Sequence, residues 1–247
     1  MVNTRIRPLR PVVITTFTAF VTAILLAQSV HSQDLLWQKR YGGIYNDDGF
    51  AVATVTDGFV LAGSTYSFGS GDFDLYVVRL DTTGEVLWSK TFGDTLGDYG
   101  YDIETTASGG FILAGSTMKD GLTNVFVVCT DYTGQELWRK SFGGAGSDEG
   151  RAIRRTQDGG FIICGTSSSS GAGYSDLYLL KINAAGDSLW ARTYGGAGGE
   201  SGMSVHEAGD GSLIAVGSSG SFGEGYSSMY AVHTSANGDS LWATTYG

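Results

Sequence analysis

Proline is almost missing from this chain: two residues in 247, Pro8 and Pro11, both within the first eleven positions. Every later turn must be made without a locked φ, and the 39 glycines, a share about twice the usual ~7%, take over that work. Cysteine is nearly as scarce. Cys129 and Cys164 are neither adjacent nor spaced as C-x-x-C, which excludes a disulfide-dense scaffold and a zinc-type ligand set. Histidine occurs three times, at His31, His206 and His233, so there is little imidazole for acid–base work. Basic charge is in deficit, 15 Lys and Arg against 25 Asp and Glu, which disfavours nucleic acid and anionic lipid as partners. Beyond the first thirty residues no stretch keeps apolar side chains at helical spacing.

The one long apolar run is "VVITTFTAFVTAILLA" (12–27), preceded by Arg5, Arg7 and Arg10 with no acid, and followed by Val30 and Ser32. Its 16 residues fall short of the roughly 20 that a spanning helix needs. Residues 1–32 are therefore predicted to be a secretory signal peptide. The chain after it keeps 12 basic against 25 acidic side chains and is expected to be secreted or displayed at the cell surface, with the periplasm as the other destination and no stable membrane insertion.

What is abundant is repetition. Tryptophans stand at 37, 88, 138, 190 and 242, in steps of 51, 50, 52 and 52, and each is followed four residues later by Tyr-Gly or Phe-Gly. A period near 50 residues signals a repeat architecture. The repeat region, 33–247, divides into units of about 37–88, 88–138, 138–190 and 190–242, then the start of another. Within the first unit, "FAVATVT", "FVLAGST", "DLYVVRLD" and "EVLWSKTFG" have strand chemistry; they are called a, b, c and d below. The a–b connections ("TDG", "ASGG", "QDGG", "AGDGS") and the c–d connections ("DTTGE", "DYTGQ", "NAAGD", "SANGD") are tight turns.

A four-stranded sheet of this size cannot bury both faces alone, so the units must stack, and radial stacking gives an all-β β-propeller of four-stranded antiparallel blades. The repeated Trp is the expected anchor between sheets, and Ala62, Ala114 and Cys164 of strand b are expected at the crowded interface, with Val216 a bulkier exception. The cysteines fall at non-equivalent places in neighbouring units and are expected to be two semi-buried thiols. Propellers commonly close when an N-terminal strand completes the last sheet. A chain that opens on d should then end on c, and this one ends on d, so an incomplete propeller, cut within the array, is expected, with an open solenoid of stacked sheets as the rival.

"LDTTGEVLW" (80–88), "TDYTGQELW" (130–138), "INAAGDSLW" (182–190) and "TSANGDSLW" (234–242) look like the turn and strand of quinoprotein-like propellers, one residue shorter between Asp81 and Gly84. The whole unit more closely resembles exported bacterial and archaeal repeat proteins predicted to be β-propellers, some of which carry a C-terminal type 9 secretion sorting domain. That resemblance spans 35–247 and implies the fold, but no common activity. A pyrroloquinoline quinone dehydrogenase, by the same resemblance, would be marked by a vicinal cysteine pair that this chain lacks. The sialidase Asp-box has different spacings, and "GGAGSDEG" (143–150) matches a calcium β-roll motif that works only in tandem.

The d–a connections place an acid two residues before a glycine in every unit: Asp47, Asp98, Asp148 and Glu200. With Asp72, Asp74 and Asp176 of the b–c loops they would form an acidic arc of the kind Ca²⁺ favours, which makes the four repeated acids candidate metal ligands. A short acid before glycine also commonly accepts backbone N–H bonds in its own turn, which is the structural alternative. No cofactor other than Ca²⁺ is suggested. His206 shares its strand-a place with Ala53, Glu104 and Arg154, and His233 its strand-c place with Arg79, Cys129 and Lys181, so both are expected on solvated sheet surface. No catalytic residue is singled out. The leading expectation is a non-catalytic binding or scaffold module for an extracellular glycan or protein. Recognition would lie in loops 117–124 and 219–228, and the aromatics Tyr66, Phe68, Phe73, Tyr174, Phe222 and Tyr226 would either stack on a sugar or peptide or pack over the sheet ends. The alternative is part of an extracellular glycan-active hydrolase whose site lies elsewhere; a role in outer-membrane assembly follows only from the quinoprotein-like resemblance.

Overall fold

The turns read from the sequence set where the strands begin and end. A computed structural model describes residues 36–247, so the expected signal peptide at 1–32 lies outside the described residues. The chain divides into two units, Met1–Gln38 and Lys39–Gly247, and the second holds sixteen strands. Blade 1 comprises β1 (Asp47–Val55), β2 (Gly58–Thr65), β3 (Asp74–Leu80) and β4 (Val86–Phe92). Blade 2 comprises β5 (Asp98–Thr105), β6 (Phe111–Lys119), β7 (Leu122–Thr130) and β8 (Glu136–Phe142). Blade 3 comprises β9 (Asp148–Arg155), β10 (Phe161–Ser167), β11 (Asp176–Ile182) and β12 (Ser188–Tyr194). Blade 4 comprises β13 (Glu200–Glu207), β14 (Leu213–Ser219), β15 (Ser228–Thr234) and β16 (Ser240–Tyr246). Each blade is an antiparallel sheet in chain order, and β1, β5, β9 and β13 neighbour one another in turn, so strand a of every blade is innermost. The architecture is that of a β-propeller. Among the described residues no helix is long and apolar enough to cross a membrane.

The c–d turn is built by one side chain. Asp81 Oδ1 accepts the N–H groups of Thr83 (2.8 Å) and Glu85 (2.9 Å), and Asn183 Oδ1 does the same for Ala185 (2.9 Å) and Asp187 (2.8 Å). These turns receive the preceding blade. A Cβ on Gly134 would lie 2.8 Å from the Trp88 ring, one on Gly186 2.7 Å from Trp138, and one on Gly238 2.9 Å from Trp190. The expected inter-sheet anchor is thus a half-buried indole laid against the next blade's c–d turn.

Three apolar clusters fill the three blade interfaces. Between blades 1 and 2, Val60, Leu75 and Val77 meet Phe111, Leu113 and Val128. Ala62, Ala114 and Cys164 are buried in these interfaces as expected, whereas Val216 is 37% exposed because no other described blade packs on the outward face of blade 4. Cys129 and Cys164 are free and buried more fully than expected, and burial pushes their thiols up to about 11 and about 12.

The strand-c position shared by Arg79, Cys129, Lys181 and His233 corrects one expectation. It is not solvated surface: Arg79 is fully buried and Lys181 is 5% exposed. Each polar member reaches back to the a–b hairpin of its own blade. Arg79 pairs with Asp57, Lys181 bonds Thr156 Oγ1 (2.9 Å) and Asp158 (2.8 Å), and half-buried His233 meets Ser212 Oγ at 3.0 Å while packing on Trp242. The long stems lie on apolar sheet while the charged ends reach the turn. His206 is exposed, as expected.

This pairing has a pH signature. Burial alone would raise the Asp158 carboxyl, but hydrogen bonds from Lys181, Thr156 and Gly160 hold it down at about 2. Because the folded value lies below the ordinary 3.8, the contribution is present above about pH 4 and is lost as pH falls toward 2. Half of this carboxylate faces solvent, so the effect is discounted to about 1 kcal/mol. Asp158→Asn should lower stability by that amount at pH 7 and by much less at pH 2, as read by urea titration at both values.

Candidate ligand-binding face

The d–a and b–c loops meet at one end of each blade, joined by backbone bonds such as Tyr66 N to Asn46 O (2.8 Å) and Ser168 N to Ser147 O (2.7 Å). The four repeated acids stand at this junction, each opening strand a. Asp47 Oδ2 accepts from Gly43 N and Ser67 Oγ, both at 2.8 Å, and its Oδ1 from the Thr65 hydroxyl. Asp98 Oδ2 accepts from Asp94 N (2.8 Å), Asp148 Oδ2 from Gly144 N (2.9 Å), and Glu200 from Gly196 N (2.7 Å), Ser219 Oγ (2.8 Å) and Ser221 N (3.0 Å). In every blade, then, the acid closes its own loop through the N–H four residues earlier.

Asp74 and Asp176 do the same for the b–c loop, accepting from Ser70 N (2.8 Å) and Ala172 N (3.0 Å). They also approach the acid of the next blade across a glycine. A Cβ on Gly93 would lie 2.4 Å from Asp74 Oδ1 and 2.5 Å from Asp98 Oδ2, which explains the glycine after the repeated aromatic. Burial raises the carboxyls of Asp74, Asp98 and Asp176, and a neighbouring acid adds to this in each. At Asp47 and Glu200 burial pushes the same way, but hydrogen bonds from serine and threonine hydroxyls and backbone N–H groups overcome it and the value falls. Among the described residues no three His, Cys, Asp or Glu side chains gather closely enough to hold a metal ion.

A different set of residues does come together. In each blade the a–b pairing carries a bulge just after the glycine of the acid-x-Gly sequence. The extra residues are Phe50, Tyr101, Arg151 and Met203, and bulges of this kind re-aim a side chain. Tyr101 lies edge-on to Phe50 with ring centroids 5.5 Å apart, and the Arg151 guanidinium sits 4.5 Å from the Tyr101 centroid. Arg151 is paired in turn with Glu149.

This inner row continues outward. Tyr101 stacks on Tyr99 (6.3 Å, 6° between planes), Tyr99 on Phe73 (5.4 Å), Phe73 meets Tyr66 (5.3 Å), and Tyr66 meets Tyr45 (5.7 Å). Six rings thus run from the loop end across two blades to the innermost strands. Phe50, Tyr45 and Tyr66 are 53%, 61% and 46% exposed. Burial, then the nearby Asp72 carboxylate, raises the Tyr99 phenol.

Of the aromatics singled out in the sequence, Tyr66 and Phe73 belong to this run. Phe68 and Phe222 instead pack on Tyr76 (5.6 Å) and Tyr230 (5.7 Å) at the sheet ends, while Tyr174 and Tyr226 stand exposed in their loops. Phe50, Tyr99, Tyr101 and Arg151 were not singled out; their signal was their place at or beside the glycine of every acid-x-Gly. The expected recognition loop at 117–124 is not a loop. β6 and β7 extend through it to a two-residue hairpin at Asp120 (φ 52°) and Gly121 (φ 82°), because Asp-Gly supplies two positive φ angles.

No family model matches the chain, and no curated protein matches it. Among solved structures it is similar to a thermostable family-43 glycoside hydrolase, at 14% identity and a TM-score of 0.50, over 85% of this chain and 75% of that one. It also aligns with an endo-arabinase from Bacteroides thetaiotaomicron VPI-5482, at 12% identity and a TM-score of 0.46, over 81% of each chain. The likeness is one of fold. At 14% identity the first of these supports the propeller architecture and carries no residue roles.

Proposed function

We propose that this chain is an exported, non-catalytic binding module whose ligand is a saccharide, held on the aromatic run from Tyr45 to Phe50. The observation that carries this reading is the continuity of six rings, part exposed, with Arg151, Glu149 and Asp72 beside them. A sugar ring offers an apolar C–H face to an aromatic plane and a rim of hydroxyls to charged side chains, and that pairing of surfaces is present here. The hydrolase alternative would need two carboxylates free to reach a substrate. The paired acids Asp74/Asp98 and Asp176/Glu200 already have oxygens engaged by loop N–H groups. The test is a glycan array followed by titration of the best ligand. Tyr101→Ala and Phe50→Ala should each weaken binding at least tenfold, and Tyr174→Ala, outside the run, should not. An array without a hit removes the saccharide reading.

The same reading treats Asp47, Asp98, Asp148 and Glu200 as loop staples. Asp148→Ala should cost about 2 kcal/mol by removing the acceptor of the Ser169 hydroxyl and one of the two acceptors of the Gly144 N–H, which keeps only Ser169 Oγ. That loss should be equal in millimolar Ca²⁺ and in chelator. A melting midpoint that rises with Ca²⁺ in the parent chain and not in Asp148→Ala would restore the metal role.

A further inference from the structure

Of the four side chains re-aimed by the bulges, Phe50, Tyr101, Arg151 and Met203, only Arg151 is charged, and it is the one cation that lies against a ring of the aromatic run. Its donors are used differently from those of other paired arginines. Arg79 is fully buried and divides its N–H groups among Phe59 O (3.1 Å), Leu80 O, Asp57 and the Tyr132 hydroxyl (3.2 Å). Arg139 closes on Glu136 through both Nε (2.8 Å) and Nη2. Arg151 meets Glu149 through Nη2 alone (2.5 Å), and its Nε and Nη1 meet no acceptor among the described residues. The side chain is 38% exposed and neither nitrogen is buried, so both are open to solvent.

The guanidinium is nonetheless held. Tyr101 lies under it at 4.5 Å and Glu149 pins one amino group, so the remaining N–H groups are already aimed and little further ordering is needed to use them. A neutral hydroxyl could accept from them, but an anionic oxygen does so through a charge-assisted bond roughly twice as strong. The pair with Glu149 is no obstacle, because partners 38% and 30% exposed gain little from each other. Asp72, near Tyr99 along the same run, has Oδ1 engaged by the Phe73 N–H (2.8 Å). The acidic excess of the chain as a whole is screened beyond about 8 Å at physiological salt, which leaves the contact with Arg151 to decide the sign of the ligand.

We infer that the saccharide is an acidic one, whose carboxylate or sulfate oxygens are taken by Arg151 while a neighbouring sugar face lies on Phe50. This rests on the saccharide reading above and adds to it the charge of the ligand and the residue that selects it.

The test is a glycan array in which uronate chains, sulfated chains, neutral chains and amino-sugar chains are separate sets, which tells the carboxylate from the sulfate ester. Calorimetry on the full chain then compares the best acidic hit with its neutral counterpart, the carboxyl reduced or the sulfate removed. The acidic form should bind at least tenfold more tightly. Arg151→Gln should bring the two forms within about twofold of each other. Glu149→Gln, which removes the competing carboxylate, should widen the preference several-fold. Both side chains are partly exposed, and circular dichroism checks that the variants keep their sheet. A ranking led by neutral or amino sugars, or a preference that Arg151→Gln leaves intact, overturns this inference and leaves the saccharide reading standing. An array with no hit removes both.

Discussion

Gly115→Ala should destabilise the protein by about 4 kcal/mol, although it adds a single methyl group. Gly115 sits in the middle of β6, opposite the bulge of β5, and a Cβ there would lie 1.7 Å from the carbonyl oxygen of Tyr99. Backbone on both sides is held by sheet hydrogen bonds, so neither strand can retreat without breaking the ladder. The equivalents Gly63, Gly165 and Gly217 face the carbonyls of Asp48, Glu149 and Ser201 at 1.8, 1.8 and 1.7 Å. This close approach accounts for the glycine in "LAGST", "ICGTS" and "AVGSS", and it is tied to the bulge that aims Tyr101 at the aromatic run. The variant should therefore also weaken saccharide binding. Gly109→Ala is the control: φ is +84° but a Cβ meets nothing within 4 Å, so the cost should be only about 1 kcal/mol. Urea titrations of the two variants measure the difference.

Trp138→Ala should cost about 3 kcal/mol, whereas Trp242→Ala in the monomer should cost under about 1 kcal/mol. Both residues occupy the same place in strand d. Trp138 is half-buried, its ring against the Gly186 turn and beneath Lys140, whose Nζ lies over it 5.7 Å from the centroid. Among the described residues Trp242 has its own blade behind it, chiefly His233 at 5.2 Å between centroids, and no following c–d turn. The contrast isolates the inter-blade share of the indole's contribution, since intrinsic strand preference is common to both. Stability in a repeat array is a sum of unit and interface contributions, so the loss in Trp138→Ala should appear as a transition shared by blades 2 and 3. Equal losses in the two variants would mean that the Trp serves its own sheet and that the next blade's turn adds little.

The fold was legible because its signals are local and repeat. Asp81, Asp131 and Asn183 announce the c–d turns by accepting N–H groups within four residues, and Asp-Gly and Gly-Gly announce the a–b turns. The candidate site was less legible. Asp47, Asp98, Asp148 and Glu200 were visible as a pattern, but whether an acid faces a ligand or its own loop depends on which N–H groups surround it, and those positions follow from the bulged start of strand a. His233 was read as surface because unlike residues, Arg79, Cys129 and Lys181, share its place. What the place demands is a side chain long enough, or polar enough, to reach the a–b hairpin, and that is a demand of geometry.

By itself, then, the sequence determined the strand order, the turns, the repeat and the blade architecture, since period-2 strands separated by positive-φ turns at a 50-residue interval leave few ways to bury a sheet. Only the tertiary structure decided which aromatics meet. Tyr45, Tyr66, Phe73, Tyr99, Tyr101 and Phe50 come from two blades, and their contact depends on a bulge and on the rotation between neighbouring sheets. Neither is written in the spacing of residues along one strand.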